Sequence, residues 1–142
     1  MNNLYRILLS LFFLIFASAS SQADTFLGDF CWQIYKDGQP DWIYKLGVYE
    51  KEGGHYALYG TDNAGEDANP VHGNLILAGG SFKMTVVGSG TGAGEDSYEQ
   101  FWTETFNGVL DASTFNGTWN SMIYSGETMD HDSGSMTYIQ CP

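Results

Sequence analysis

Basic residues are scarce. Lysine and arginine together number five, against 17 aspartates and glutamates, for a formal net charge of −12. A surface this acidic repels nucleic-acid phosphates and anionic membranes. The partners left open are cations, cationic or neutral small molecules, and basic proteins. Acidity on this scale also serves simply to keep an exported chain in solution. Long apolar runs are missing beyond residue 16, so nothing later in the chain is predicted to span a bilayer. Helical periodicity is missing as well: no stretch after the N-terminal segment sustains an apolar i, i+3, i+4, i+7 pattern. Catalytic signatures are absent, with no Gly-x-Ser-x-Gly, no His-Glu-x-x-His and no P-loop. Two carboxylates can serve a hydrolase, but among 17 acids some pair is inevitable. The sequence therefore reads as a binding protein rather than an enzyme, with no cofactor.

What is present begins with the N-terminus. A short polar stretch carrying Arg6 precedes an apolar run from Ile7 to Phe16, and small residues follow. This is the layout of a secretory signal peptide over residues 1–23, cut after Ala23 in Ser21-Gln22-Ala23, or after Ala19 in Ala17-Ser18-Ala19. A membrane anchor is the competing reading, and the run is short for one. Cleavage after Ala23 leaves a single domain, residues 24–142, and removes Arg6 but no acid. Four basic residues then face 17 acidic ones, a net −13. The chain is expected to be exported, to a periplasm or to the medium. In such a compartment Cys31 and Cys141 are expected to form a disulfide. Free thiols or metal ligands are the alternative, but neither cysteine has a second Cys or a His at ligand spacing.

Aromatic, alternating runs separated by Gly, Asp and Asn predict eight strands, at about 26–35, 42–50, 55–61, 71–78, 81–88, 98–109, 114–124 and 135–141. The connections at 51–54, 79–80 and 110–113 are tight. Those at 62–70, 89–97 and 125–134 are long, and 36–41 is intermediate. In a meander, alternate connections share an end, so the tight turns gather at one end and the longer loops at the other. The expected fold is all-β: a single antiparallel up-and-down barrel of about eight strands, closed by the disulfide between its first and last strands. A β-sandwich is the alternative.

Two segments point to a family. Gly54-His55-Tyr56-Ala57-Leu58-Tyr59-Gly60 resembles the glycine-then-aromatic strands of lipocalin and avidin barrels, and Phe115-Asn116-Gly117-Thr118-Trp119-Asn120 resembles their Gly-x-Trp element. The layout of eight meander strands with a tight and an open end is similar over most of the chain. Lipocalins carry Gly-x-Trp in the first strand, which here reads Gly28-Asp29-Phe30-Cys31-Trp32. The resemblance thus implies a calycin-like barrel and a binding role, and it assigns no functional residues.

Alternate strand residues face opposite ways. That parity turns Trp32, Tyr44, Gln100, Trp102, Glu104, Trp119, Ser121 and Tyr138 into the lumen, an aromatic wall with a few polar groups. Such a wall describes a small-molecule site, or a filled core whose polar groups satisfy one another. Glu104 stands out as a candidate anchor for a basic group on a ligand, because a buried carboxylate wants a cation or a hydrogen-bond donor. An exposed Glu104 in a differently phased strand is the plainer reading.

The longer loops carry Asp37, Asp41, Asp62, Glu66, Asp67, Glu95, Asp96, Glu127, Asp130 and Asp132, and Ala-Gly-Glu-Asp occurs twice, at 64–67 and 93–96. Clustered carboxylates can hold Ca²⁺, although the spacing is not that of an EF-hand. Asp130-His131-Asp132 is a short candidate for a transition metal, and Gly with acid is also common loop chemistry. Metal binding stays open. The function expected is binding of a small, partly apolar or cationic ligand in the lumen. The alternative is a protein-interaction module or inhibitor that docks a basic partner through its acidic loops.

Overall fold

The computed structural model describes residues 24–64, 67–93, 99–126 and 128–142. The expected signal peptide lies outside the described residues. Eight strands follow in order: β1 (Thr25–Lys36), β2 (Gln39–Glu50), β3 (His55–Ala64), β4 (Asp67–Ala78), β5 (Ser81–Ala93), β6 (Glu99–Asp111), β7 (Gly117–Ser125) and β8 (Thr128–Ile139). Each pairs antiparallel with the next, and β1 pairs with β8, so the sheet closes into one up-and-down barrel consistent with a calycin-like layout. The β1–β8 seam runs only over Cys31–Lys36 of β1. Just beyond its end the Cys31–Cys141 disulfide holds Cα atoms 5.1 Å apart across a sequence separation of 110. Closing a loop of that length contributes about 4–5 kcal/mol in the chain-entropy account.

The expected contrast between a tight and a loop-bearing end does not hold. β3 continues to Ala64, β5 to Ala93 and β7 to Ser125, and β4 and β8 begin at Asp67 and Thr128. Most of the segments read as loops are hairpin ladder, as in the pairs Thr61↔Pro70, Asn63↔Ala68 and Tyr124↔Met129. Backbone pairing is indifferent to side-chain polarity, so Asp, Asn and Thr extend these strands although their composition reads as loop. β1 and β2 are joined by Asp37-Gly38 alone, both at positive φ (51° and 75°), the backbone of a type I′ turn. The opposite change occurs after β6. There Asp111 accepts the Ser113 and Thr114 amides at 2.9 Å each, and β7 starts only at Gly117. The Ser113 hydroxyl and those amides hold the Asp111 carboxyl down to about 2.

Apolar residues alternate inward as expected. Trp32, Ile34, Tyr44, Leu46, Leu58, Met84, Phe106 and Met136 are all buried and fill the middle of the lumen. Two inward glycines lie directly against the backbone of a neighbouring strand. A Cβ on Gly60 would fall 1.8 Å from the Lys45 carbonyl oxygen, and one on Gly73 would fall 2.0 Å from that of Thr85. Outside, the row Asn74↔Thr85↔Asn107↔Asn120↔Ser133 crosses five strands and is polar throughout. No helix among the described residues is long and apolar enough to cross a membrane.

Candidate functional site

With its middle packed, the barrel keeps a cleft at each end. At the end that bears Gly79-Gly80, a cleft of 170 Å³ is lined by aromatic and aliphatic side chains, among them Phe30, Trp32, Tyr56, Phe82 and Phe115. Phe115, at φ 57°, stacks on Phe82 with ring centroids 5.6 Å apart. The Trp32 indole donates to the Phe115 carbonyl at 2.9 Å, so its N–H is already used.

The end that bears Asp37-Gly38 is different. Its cleft, 180 Å³, is lined by Trp42, Asp62, Trp102, Glu104 and Ile123. Strand parity explains the set. Trp42 precedes Tyr44 by two on β2, Asp62 follows Leu58 by four on β3, and Trp102 and Glu104 precede Phe106 on β6. Gly90 of β5 makes room for the Trp102 indole, since a Cβ there would lie 2.8 Å from the ring and 2.6 Å from Asn69 Oδ1. Beneath, Trp119 stacks on Phe106 at 5.3 Å, and Trp42 meets Trp119 edge-on at the same distance. The Trp119 indole donates to the carbonyls of Tyr35 and Ser135, which fixes this floor.

The polar groups above that floor include two buried acids, of which Glu104 has incomplete hydrogen bonding. Asp62 is 3% exposed, and its Oδ1 accepts from the main-chain and side-chain nitrogens of Asn69, its register partner on β4. Glu104 is 6% exposed, and the Tyr44 hydroxyl donates to its Oε2 at 3.2 Å. Burial pushes the Glu104 carboxyl above the ordinary glutamate value. The nearby Ser121 and Tyr44 hydroxyls pull it down, while the charges of Asp62 and Asp132 push it up. Burial, with the charges of Glu104 and Asp62, likewise raises Tyr44 far above an ordinary tyrosine, so it stays a donor. Three buried side-chain atoms among the described residues have no hydrogen-bond partner: Trp42 Nε1, Glu104 Oε1 and Ser121 Oγ. Trp42 and Glu104 line the cleft. The Ser121 hydroxyl lies close enough to the Glu104 carboxylate to favour its charge, yet the two stop short of a hydrogen bond.

No protein-family description matches this sequence, and neither a curated protein nor a solved structure matches the chain.

Of the residues singled out from sequence, Tyr44, Trp102, Glu104, Trp119 and Ser121 gather at this end. Glu104 is inward and buried, so the exposed alternative does not apply. Trp32 and Tyr138 meet at the other end, rings 6.1 Å apart. Gln100 pairs with Gly92 in β6, and its side chain lies outside the described residues. Trp42, Asp62 and Ile123 complete the lining without having been chosen. Trp42 shares the parity of Tyr44, which was the available signal. Asp62 was assigned to a loop, and its strand places it inward instead. Of the acids expected at the loop-bearing end, Asp37, Asp41 and Asp132 all stand close enough to Lys36 to raise it. Asp132 pairs with Lys36 at 2.8 Å. His131 stands on the opposite face of β8 from Asp130 and Asp132, because strand neighbours alternate. Residues 65–66, 94–98 and 127, which include Glu66, Glu95, Asp96 and Glu127, lie outside the described residues. Among the described residues no group of three or more His, Cys, Asp or Glu is placed to hold a metal ion.

Proposed function

We propose that this chain is an exported binding protein of the lipocalin or avidin type, which holds a small, partly apolar ligand in the cleft between Trp42, Trp102 and Glu104. One observation carries the reading. Buried polar atoms are nearly always paired, yet Trp42 Nε1 and Glu104 Oε1 are not, and both residues line this cleft. An apolar wall with a few convergent polar atoms is the usual form of a small-molecule site. At 180 Å³ the cleft suits a ligand well below drug size. No reaction is proposed for it.

Native mass spectrometry of the protein purified from its own periplasm or medium tests this. Extra mass on the wild type, lost on denaturation and reduced in Trp42→Phe, is the expected result. A wild type free of ligand, which also binds no member of a small-fragment library, would overturn the reading. The acidic interaction module remains the second reading, supported by the net charge of −12. Binding of a basic protein that disappears with added salt would favour it.

A further inference from the structure

We infer that the ligand of this cleft is a small organic ammonium ion, its charged nitrogen held by Glu104 and its apolar body between Trp42 and Trp102. This rests on the preceding reading and narrows it to one chemical class.

The lining is charged with one sign. Asp62 and Glu104 both face the cleft, and no basic side chain lines it. Lys36 of β1 is engaged with Asp132. Glu104 Oε1 offers a free acceptor from a site that is nine-tenths buried. An anionic ligand would meet two carboxylates at low dielectric. A neutral alcohol brings a single donor. An ammonium brings three, and each bond to a charged group is stronger than its neutral counterpart.

The rest of the lining decides between an organic cation and a metal ion. Metal ions demand several oxygen, nitrogen or sulfur ligands. Here, beside the two carboxylates, stand Trp42, Trp102 and Ile123, which offer none. Indole faces do attract organic cations and cover their carbon atoms. The volume of 180 Å³ limits the body to about one ring or a short chain. The acidic surface adds a field that draws cations toward the protein.

A proton is coupled to this event. The groups facing Glu104 are Tyr44 on β2, Asp62 on β3, Ser121 on β7 and Asp132 on β8, the last paired with Lys36 of β1. None of them brings a positive charge into contact with Glu104, so burial raises its carboxyl. When the carboxyl is protonated, entry of the ammonium expels that proton and leaves a carboxylate–ammonium pair. Affinity therefore falls as pH drops through the Glu104 titration.

Isothermal titration of the full chain with three probes of one shape tests this: phenethylamine, 2-phenylethanol and phenylacetate. Phenethylamine is expected to bind at least about tenfold more tightly than 2-phenylethanol, with phenylacetate not bound. Glu104→Gln, similar in size, is expected to lose at least about tenfold for the amine, and with it the pH dependence, and to lose less for the alcohol. If the alcohol binds as well as the amine to the wild type, the ammonium inference is overturned and the binding reading stands. If none of the three binds and native mass spectrometry finds no ligand, both are overturned. The amine-against-alcohol comparison needs only wild-type protein, so it holds whatever the variant's stability.

Discussion

The Tyr44 hydroxyl reaches Glu104 Oε2 at 3.2 Å from the opposite wall of the barrel, β2 to β6, between residues 60 apart in sequence. Three strands lie between them either way around the sheet, so this one bond spans the lumen. It also caps the packed middle, since the Tyr44 ring meets Phe106 edge-on at 4.9 Å. Tyr44→Phe keeps the ring and removes the donor, leaving a buried carboxylate oxygen unpaired at a cost of about 1–3 kcal/mol. The loss should be greatest at neutral pH and shrink in acid, where a protonated Glu104 no longer presents a bare charge. Urea unfolding of both proteins at two pH values checks this, and an equal loss at both would count against it.

Glu104 imposes its own pH dependence. Its carboxyl holds a proton more tightly in the folded barrel than in the unfolded chain, because folding buries it. Across the window from the ordinary glutamate value of 4.5 up to its raised value, the folded state binds more protons, so stability falls as pH rises. Glu104→Gln removes that fall. The variant should match the wild type below the window and exceed it in melting temperature above. A difference between the two proteins that stays flat from pH 4 to pH 8 would show that Glu104 is not desolvated.

The inward glycines separate two kinds of glycine effect. At Gly60 an added Cβ would strike the Lys45 main-chain oxygen at 1.8 Å, and a backbone atom in a paired strand cannot turn aside. Gly60→Ala should cost about 3 kcal/mol, at the upper end of ordinary overpacking. At Gly79 nothing lies within 4 Å, and only the φ of +61° resists a side chain. Gly79→Ala should cost about 1 kcal/mol. Denaturant midpoints for the two variants give the order directly, and a reversed order would mean the strands do not approach so closely at Gly60.

Strand number, order and closure were legible because alternation of aromatics and aliphatics persists through all eight strands, and because Cys31 and Cys141 fall at the two sides of the seam. Strand ends were not. Polar runs such as Asp62 to Pro70 carry no alternation to read, yet they pair as ladder. Asp37-Gly38 carried a clear hairpin signal that the wider polar stretch around it obscured. This also decided which site residues were found. Tyr44, Glu104 and Ser121 sit within well-patterned strands and follow from parity. Asp62 sits where the pattern fades, and Trp42 begins its run, so neither was chosen. Which end a side chain serves depends on register and on the way it leans, which parity cannot supply: Trp32 pairs with Tyr44 across β1 and β2, yet its indole reaches Phe115 on the side of the other cleft.

The central claim is that ligands enter beside Trp42. The chain has four tryptophans, and their indole N–H groups are natural reporters in a ¹⁵N-tryptophan-labelled NMR sample. Trp32 and Trp119 donate to main-chain carbonyls, whereas Trp42 Nε1 sits beside the Tyr44 hydroxyl without completing a hydrogen bond. Titration with a fragment set of amines, alcohols, amides and acids should find members that move the Trp42 and Trp102 indole signals and leave Trp32, at the opposite end, in place. Binders that move Trp32 while Trp42 stays fixed, or a full set that moves neither, would contradict the account.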